Sequence, residues 1–450
     1  MKTFPELPLS KVLQTNLAKH AFVEPTPVQA QSIPLQLAGR DCVITAQTGT
    51  GKTLAFVLPL LEKLLKTAAA PQAYGKGPSA LILSPTRELA IQISECFSKL
   101  SAGTGIRAAV VVGGLNENAQ LEAVRKGAQV VVATPGRLND FLERKLIKLG
   151  GTHLLVLDEA DRMLDMGFLP TIKRILGALP AERQTIFCSA TIETSVAHLI
   201  HVHLKDPVRV AIGSTTKPAE HIALHVYEVE QDRKLGLLEK MLRDDQGSFL
   251  VFARTKHGAD RLAKKLARSG SKATAIHGNR TQSQRNQALR GFQDGNYRVL
   301  VATDVAARGV HVEGIAHVVN YDLPQVPEDF IHRVGRTGRA GMRGTASTFS
   351  TREERSEIRK IERLLDMRLT PQPVPAGIER EARGAPADSP RNFPHQEKAP
   401  RQAGAHDARA HHDRGSQNKS KGAGSKGGGP KSFSTMSFAP KGRSPRRRRA

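Results

Sequence analysis

Short apolar runs alternate with amphipathic stretches of about 10 to 15 residues along most of the chain. In residues 41–210 the apolar runs lie at 42–44, 80–83, 108–112, 130–132, 154–157 and 185–187. A second series lies at 249–252, 273–276, 299–302 and 317–320 and is followed by an amphipathic segment at 353–365. Such alternation is typical of βα units around a parallel sheet. The pattern therefore predicts an α/β protein with two parallel-sheet domains.

Two changes of composition mark the predicted domain boundaries. The polar stretch after residue 212 breaks the alternation, so we predict a linker at 213–220 between domains at 31–212 and 221–370. From residue 371 onward Gly, Pro, Ser, Arg and Lys predominate, with 17 Lys and Arg against 6 Asp and Glu. A segment of this composition lacks the apolar residues for a packed core, so we predict a disordered basic tail at 371–450.

Charge and cysteine content narrow the functional classes. The net charge of the 450 residues is +25, which favours a polyanionic partner, nucleic acid or ribosomal material, over a merely soluble basic protein. Cys42, Cys96 and Cys188 are scattered and form no C-x-x-C pair, as expected of a reducing compartment. No apolar run approaches the roughly 20 residues needed to span a bilayer, and the first residues do not resemble a signal peptide. We therefore expect a cytoplasmic protein without a membrane partner.

A candidate phosphate-binding loop follows the first apolar run and precedes a predicted helix. Its residues are Ala46, Gln47, Thr48, Gly49, Thr50, Gly51, Lys52 and Thr53. Glycines let backbone N–H groups turn towards phosphates, Lys52 neutralises phosphate oxygens, and the Thr53 hydroxyl can reach Mg²⁺. Ala46 stands where the loop pattern has its first glycine. The alternative is an ordinary glycine-rich turn, which the Lys-Thr pair makes less favourable.

A second chemical signal lies where the apolar run at 154–157 ends in acidic residues. Asp158 is placed to hold Mg²⁺, directly or through water, and Glu159 is placed to polarise an attacking water. By themselves the four residues 158–161 could also be an acidic helix start favoured by the helix dipole. Their position after a buried strand, about a hundred residues beyond the phosphate loop, favours ATP hydrolysis.

Residues 158–161 read Asp-Glu-Ala-Asp. Together with several shorter motifs, they make the chain resemble the DEAD-box RNA helicases from about residue 4 to residue 365. The resemblance implies two tandem RecA-like domains, ATP and Mg²⁺ as cofactors, and RNA as a largely sequence-independent partner. In the segment 1–30, Phe22 and Gln29 resemble the adenine-reading Q motif, and Phe4 resembles its isolated upstream aromatic residue. A Gln amide can pair with both the donor and the acceptor edge of adenine.

Further motifs of the resemblance are short, and each alone would more often be a turn or a helix cap. The residues that it implies for RNA binding are Pro85, Thr86, Arg87, Gly113, Gly114, Thr134, Pro135, Gly136, Arg137, Arg254, His277, Gly278, Gln282, Arg285 and Thr303. Those that it implies for coupling hydrolysis to strand separation are Asp161, Ser189, Thr191, Asp304 and His332. Arg336 and Arg339 would be catalytic arginine fingers. His311 stands where the family has an Asp near the ATP ribose, and the nearby Glu313 is a candidate substitute.

Three functions are compatible with these residues: an RNA-unwinding enzyme, an ATP-gated RNA clamp or annealing protein, and a DNA translocase on the same two-domain frame. The resemblance favours RNA and disfavours the third. The predicted tail is interpreted as an RNA tether, with a localisation signal or a solubilising end as alternatives. The layout is similar to bacterial RhlE-type helicases, which implies ribosomal precursors or the RNA-degrading machinery as partners of a monomeric protein.

Overall fold

The uniformly apolar runs form the buried strands of two parallel sheets, as the alternation predicts. The computed structural model describes residues 3–46, 49–67, 77–192, 194–212, 221–307, 312, 314–338 and 342–381. Within that part of the chain each domain has one seven-stranded sheet in which every pair of neighbours is parallel. The two sheets have helices on both faces, which is the layer arrangement expected of α/β domains.

The first sheet is built from strands that alternate with helices in sequence. Its strands are β1 Cys42–Ala46, β2 Ala80–Leu83, β3 Ala108–Val111, β4 Val130–Ala133, β5 Leu154–Leu157, β6 Gln184–Ser189 and β7 Val208–Ile212. The helices are α1 Lys11–Lys19, α2 Pro27–Leu37, α3 Lys52–Thr67, α4 Arg87–Leu100, α5 Glu117–Arg125, α6 Pro135–Glu143, α7 Ala160–Asp165, α8 Leu169–Gly177 and α9 Thr194–His203. The strand order is β3-β4-β2-β5-β6-β1-β7.

Alternating side chains of each strand feed two separate cores. Ile44 of β1 packs with α1 to α4 on one face, and its neighbour Val43 packs with α6 to α9 on the other. This follows from the strand period of two, which sends successive side chains to opposite faces. Because both faces are covered, β2 to β5 are apolar at every position, and that is why they were recognisable in the sequence.

The second domain repeats the plan. Its strands are β8 Ile222–Glu228, β9 Phe249–Phe252, β10 Ala273–Ile276, β11 Val299–Ala302, β12 His317–Asn320, β13 Gly344–Ser350 and β14 Pro371–Gln372. The helices are α10 Lys234–Asp244, α11 Lys256–Arg268, α12 Gln282–Gln293, α13 Asp304–Ala307, α14 Pro327–Val334 and α15 Arg355–Leu365. Two single 3₁₀ turns, Phe4–Glu6 and Gln231–Arg233, precede α1 and α10. The strand order is β10-β11-β9-β12-β13-β8-β14.

The second domain continues past the predicted boundary at residue 370. Pro371 and Gln372 pair with β8 as a parallel edge strand, and the Glu381 backbone N–H donates to Asp232 O at 2.7 Å. The Glu381 carboxylate also lies 2.5 Å from Lys265 Nζ. The predicted start of the tail at residue 371 is therefore too early, because these residues find backbone partners that composition does not reveal. The predicted linker at 213–220 and residues 382–450 lie outside the described residues.

The sequence pattern missed the strand β13, whose residues are Gly-Thr-Ala-Ser-Thr-Phe-Ser. Its polar side chains are buried because they bond to the neighbouring strand β12. Asn320 Nδ2 donates to Thr348 Oγ1 at 3.0 Å, and His317 Nε2 lies 2.9 Å from Ser347 Oγ. A buried strand that satisfies its hydroxyls across the sheet has no apolar run to mark it.

The parallel arrangement brings the predicted motifs to one edge of each sheet. The phosphate loop follows β1, and Asp158 follows β5. The Ser-Ala-Thr segment, Ser189 to Thr191, begins at the end of β6. These three strands are neighbours in the sheet. The carboxyl ends of parallel strands are where ligands of open α/β sheets bind. Among the described residues no helix is both long and apolar enough to cross a membrane.

The buried carboxylate of Asp41 offers a test of how the first sheet is held together. Its two oxygens accept from the backbone N–H groups of Thr185 at 2.8 Å and Lys205 at 2.7 Å. Replacing Asp41 with Ala would leave two inward-facing donors without partners, so we expect the free energy of unfolding to fall by about 2–4 kcal/mol. The measurement is urea unfolding followed by circular dichroism, since the chain has no Trp. As a control, Glu182→Ala removes an exposed partner of Lys205 and should change the free energy of unfolding by less than about 0.5 kcal/mol.

Candidate active site and nucleic-acid surface

The phosphate loop curls back over the end of β1. Lys52 begins α3 and is buried, and its ammonium donates to the carbonyl oxygen of Ala46. Gly49 and Gly51 have φ values of 84° and 91°, a left-handed conformation that glycine adopts without strain. A side chain at Gly51 would also collide with the Gln29 amide. The loop thus has the tight, Cβ-free path expected where backbone must approach a ligand closely.

Thr50 and Thr53 are the two hydroxyl residues of the loop that the structure describes. Thr50 precedes Lys52 in the loop, and Thr53 follows it. Thr53 lies at the second position of α3 and lines the cleft beside Lys52. Gln47 and Thr48 lie outside the described residues. Of the described loop residues, Gly49, Gly51, Lys52 and Thr53 line one cavity.

Two carboxylates face the loop from the end of β5. Asp158 is 3% exposed, and one of its oxygens accepts from the Glu159 backbone N–H at 3.1 Å. Burial, and then the Glu159 carboxylate, raise the pKa of Asp158 to about 7, although Lys52 acts in the opposite direction. Glu159 has a left-handed φ of 49°, an uncommon and strained conformation for a residue with a side chain. The site therefore holds more negative charge than one lysine neutralises.

Asp161 connects the acidic segment to the end of β6. One of its carboxylate oxygens accepts from the backbone N–H groups of Ala190 at 2.9 Å and Thr191 at 2.8 Å, and from the Thr191 hydroxyl at 3.1 Å. The Ser189 hydroxyl donates to Thr191 O at 2.6 Å and closes the turn. Asp161 therefore contacts the Ser-Ala-Thr segment, which contains two other residues, Ser189 and Thr191, that were predicted to couple hydrolysis to strand separation.

Gln29 ties the N-terminal segment to the phosphate loop. Its Oε1 accepts from the Thr26 backbone N–H at 3.0 Å, which caps α2, and its Nε2 donates to Gly51 O at 3.0 Å. Phe22 lines the cleft nearby. Phe4 does not, because it is 2% exposed and packs in the core of the first domain with Leu13 and Leu17. The prediction that Phe4 contacts the nucleotide therefore gives way to a packing role.

The two domains share a cleft of about 670 Å³. Lys52, Asp158 and Glu159 line it from the first domain, and Arg336 and Gln293 line it from the second. The Arg336 guanidinium is buried, and its Nε donates to His332 O at 3.1 Å. Arg339 lies outside the described residues, as do His311 and Glu313. Gln293 carried no sequence signal, because it lies at the end of α12 outside every recognised motif.

Arg333, which the sequence analysis assigned no role, is the hub of the second domain's motifs. Its Nε and Nη2 donate to the two Asp304 oxygens at 2.5 and 2.7 Å. Its Nη1 donates to Asn320 Oδ1 at 3.2 Å and Asp322 O at 2.7 Å, and its guanidinium stacks 4.9 Å from the Phe252 ring centroid. A buried guanidinium with all three nitrogens hydrogen-bonded in this way fixes the start of the turn that carries Arg336.

A buried ion pair joins the two domains beside the cleft. Arg162 Nη1 lies 2.9 Å from Asp329 Oδ1, and the two side chains are 3% and 8% exposed. Arg162 follows Asp161 directly, and Asp329 lies in α14 ahead of Arg333. The two residues are 167 positions apart in sequence, and no sequence motif marks them as a pair.

A second bridge involves residues that were predicted to contact RNA. Arg87 Nη1 donates to Gln282 Oε1 at 3.3 Å, and Gln282 Nε2 donates to Glu88 Oε1 at 3.0 Å. Arg285 Nη2 also lies 2.9 Å from that Glu88 oxygen. The Arg87 guanidinium covers Gly113 and Gly114, where a side chain on Gly114 would collide with it. The structure thus places Gln282 and Arg285 at the contact between domains rather than on an open surface.

The other predicted RNA residues lie at helix starts along the same edges. Thr86 caps α4, Pro135 begins α6 after Thr134, and Arg137 lies 3.1 Å from Glu117 and over the Phe141 ring. The remaining predicted residues at these edges are Pro85, Gly136, Arg254, Gly278 and Thr303. His277 is 3% exposed and lies 2.9 Å from Asp260, so its ring faces inward and only Gly278 beside it is exposed.

Comparison with known proteins agrees with this arrangement. The DEAD/DEAH box helicase model matches residues 26–199, and the helicase conserved C-terminal domain model matches residues 233–341. The chain is 43% identical over 341 residues to DEAD-box ATP-dependent RNA helicase 30 of Arabidopsis thaliana, covering 74% of this chain and 57% of that protein. It is 42% identical over 333 residues to CshA of Streptococcus pneumoniae, covering 74% and 62%. The chain thus spans less than two thirds of the length of these relatives.

A solved structure extends the likeness to both domains together. The chain is similar to S. cerevisiae Dbp5 bound to RNA and ADP BeF3, with 30% sequence identity and a TM-score of 0.74. That comparison covers 83% of this chain and 96% of the Dbp5 chain. It confirms the prediction of two tandem RecA-like domains. The chain belongs to the DEAD-box family of RNA helicases.

Proposed function

We propose that the protein is an RNA-dependent ATPase that couples ATP hydrolysis to local unwinding and remodelling of RNA duplexes or ribonucleoprotein. The cleft that unites Lys52, Asp158 and Glu159 with Arg336 carries this proposal. A phosphate-binding lysine, two carboxylates and an arginine from the opposite domain are the groups that phosphoryl transfer to water requires. Membership of the DEAD-box family supports RNA as the nucleic acid.

Each group in the cleft has a separate task in hydrolysis. Lys52 would neutralise the β and γ phosphate oxygens, and Glu159 would orient and polarise the attacking water. Arg336 would stabilise the charge that develops on the γ phosphate, with Arg339 proposed as its companion. Because Arg336 belongs to the second domain, hydrolysis requires the two domains to be together.

Thr53 and Asp158 are proposed to hold Mg²⁺. Both supply oxygen, the ligand atom that Mg²⁺ prefers, and both line the cleft beside Lys52. In the described part of the chain no three His, Cys, Asp or Glu side chains form a metal site by themselves, so phosphate oxygens and water would complete the coordination. When bound, the ion supplies charge neutralisation for phosphoryl transfer.

Gln29 is proposed to read the adenine ring. Its hydrogen bonds to Thr26 and Gly51 use one lone pair of the amide oxygen and one amide hydrogen. An amide group has a second of each, and these match the donor and acceptor edges of adenine. Since the same side chain touches the phosphate loop, base recognition and loop position are linked.

RNA and ATP are proposed to favour the same closed state. ATP would be wedged between Lys52 and Arg336, and RNA phosphates would meet residues of both domains along the strand edges, with Arg137 and Arg254 as examples. Ligands that stabilise one state of a protein raise each other's affinity reciprocally. RNA would therefore stimulate hydrolysis, and release of phosphate would loosen the grip on RNA.

A second candidate function is an ATP-gated RNA clamp that unwinds little. The pair of Arg162 and Asp329 favours it, because this buried pair bonds the two domains directly and loss of one partner would leave the other charge buried and uncompensated. Such a contact prolongs the closed state without adding any step of strand separation. Unwinding and clamping would then differ in how long the closed state lasts.

The cellular setting is proposed from composition and from the likeness to RhlE-type helicases. The basic residues 382–450 would act as a sequence-tolerant RNA tether on a monomeric, cytoplasmic protein. Ribosomal precursors or the RNA-degrading machinery would be its partners. Unchanged ribosome profiles at low temperature in a strain that lacks the gene would contradict this setting.

The first prediction concerns the nucleic acid that activates hydrolysis. Single-stranded RNA should stimulate ATP hydrolysis by the wild type, and Glu159→Gln should lower the stimulated rate by about 10²-fold or more, because the water loses its general base. Phosphate release is measured with RNA, with single-stranded DNA and without nucleic acid. Glu182→Gln, an exposed substitution, is the control and should match wild type. Equal stimulation by DNA would overturn the RNA assignment.

The second prediction follows from the raised pKa of Asp158. The folded protein keeps this proton up to about pH 7, whereas the unfolded chain releases it near pH 3.8, so the stabilising effect of protonation is lost as pH rises through 7. Asp158→Asn cannot ionise, so its advantage in free energy of unfolding over wild type should grow by about 2–3 kcal/mol between pH 5 and 8.

Urea unfolding without nucleotide or metal measures this difference at each pH. Asp206→Asn, at a carboxylate whose side chain is 98% exposed, is the control and should give a difference that does not vary with pH. Parallel curves for Asp158→Asn and wild type would show that the Asp158 carboxylate ionises normally in the folded protein.

The third prediction separates clamping from unwinding. Asp329→Asn leaves the Arg162 charge buried without its partner, so RNA should dissociate at least tenfold faster in the presence of a non-hydrolysable ATP analogue. Dissociation is followed with a labelled RNA strand. Glu143→Gln, in an exposed pair with Arg174, is the matched control. A wild-type dissociation rate for Asp329→Asn would mean that this pair does not hold the closed state.

A further inference from the structure

A fully buried lysine lies in the second domain, away from the nucleotide cleft. Lys234 begins α10, and its side chain is 1% exposed. Its ammonium donates to Tyr321 O at 3.2 Å and lies 6.0 Å from the Tyr321 ring centroid. Burying a charged ammonium costs several kcal/mol unless anions compensate it. A lysine in this position therefore needs an explanation in terms of its partners.

Two carboxylates compensate Lys234. Glu354 Oε2 lies 3.6 Å from the ammonium, and Asp322 Oδ1 lies 4.0 Å from it. Both carboxylates reach the surface, with side chains 20% and 22% exposed. Lys234 is thus the inner cation of a cluster whose anions face outward.

The outer partner of the same carboxylates is Arg254. Asp322 Oδ2 accepts from the Arg254 backbone N–H at 2.9 Å, and Glu354 Oε1 accepts from Arg254 Nη2 at 2.9 Å. The Arg254 side chain is 47% exposed at the carboxyl end of β9. Each carboxylate therefore touches Lys234 from inside and Arg254 from outside.

The cluster is balanced only while Lys234 is present. Lys234 and Arg254 supply two positive charges against the two negative charges of Asp322 and Glu354. Without Lys234 the same surface would carry a net negative charge, and Arg254 would be outnumbered by the carboxylates that hold it. Polyanion binding depends directly on the charge presented to the phosphates.

The cluster is also joined to the nucleotide side of the domain. Asp322 offers its carboxylate to Arg254 and its backbone oxygen to Arg333, at 2.7 Å. Arg333 in turn holds Asp304 and precedes Arg336. One residue therefore contacts both the exposed arginine and the hub that fixes the arginine finger.

We propose that Lys234 is a positioning residue for RNA binding: it neutralises Asp322 and Glu354 so that they hold Arg254 at the surface without cancelling its attraction for RNA phosphates. This inference rests on the proposed function, in which Arg254 meets the RNA backbone. It assigns a functional role to a side chain that touches neither ATP nor RNA.

The test is a set of substitutions whose effects differ in sign. Lys234→Met keeps the side-chain volume and removes the charge, so the RNA concentration for half-maximal ATPase should rise by on the order of three- to tenfold. Glu354→Gln removes one anion and keeps an oxygen for Arg254, so that concentration should fall. The double variant should return close to wild type. The maximal rate at saturating RNA and the KM for ATP should stay within about twofold throughout.

The controls separate three outcomes. Lys265→Met breaks a lysine–carboxylate pair on α11 of the same domain and should leave RNA half-saturation at the wild-type value. A wild type that RNA does not stimulate would contradict the proposed function itself. A stimulated wild type with unchanged half-saturation in Lys234→Met, or with no restoration in the double variant, would overturn the role of Lys234 alone. If Lys234→Met does not fold by circular dichroism, an unchanged or raised half-saturation in Glu354→Gln overturns it.

Discussion

Burial of charge is the constraint on which the rest of this structure depends. The proposed hydrolysis brings a lysine, carboxylates and an arginine together in a cleft shielded from bulk solvent, and the two domains form this cleft only by burying those charges. Lys52, Asp158 and Arg336 are each less than a tenth exposed. Because an isolated buried charge is costly, each must find a partner, and the contacts of the site follow from that requirement.

The charged residues that line the cleft differ between the two domains. In the first domain two carboxylates, Asp158 and Glu159, line the cleft beside Lys52, and burial and then Glu159 raise the pKa of Asp158. In the second domain Arg336 brings positive charge to the same cleft. Each domain alone is electrostatically incomplete around the cavity, which favours the closed arrangement and makes it responsive to a charged ligand.

Much of this fold could be predicted from the sequence, because most buried parallel strands contain an apolar run. The six apolar runs of the first domain all lie in strands, β1 to β6. The edge strand β14 and the hydroxyl-rich β13 were not readable, since their stability comes from partners distant in sequence. The same reason explains the site. Lys52, Asp158 and Gln29 sit in local patterns with a chemical meaning, whereas Arg162, Asp329 and Glu88 acquire theirs only when the domains meet. Phe4 is the opposite case. Its position in the sequence resembles that of a motif residue, but its ring packs in the core of the first domain.

The second domain meets the burial constraint with two cationic clusters that share one residue. Arg333 is neutralised by Asp304 on the nucleotide side, and Lys234 by Asp322 and Glu354 on the other. Asp322 belongs to both, through its backbone oxygen and its carboxylate. A shift of Arg333 when the nucleotide changes would therefore move the backbone that positions Arg254, without any flexible segment between them. The buried charges of the second domain are therefore linked by a continuous chain of contacts from Arg336 and Arg333 through Asp322 to Arg254.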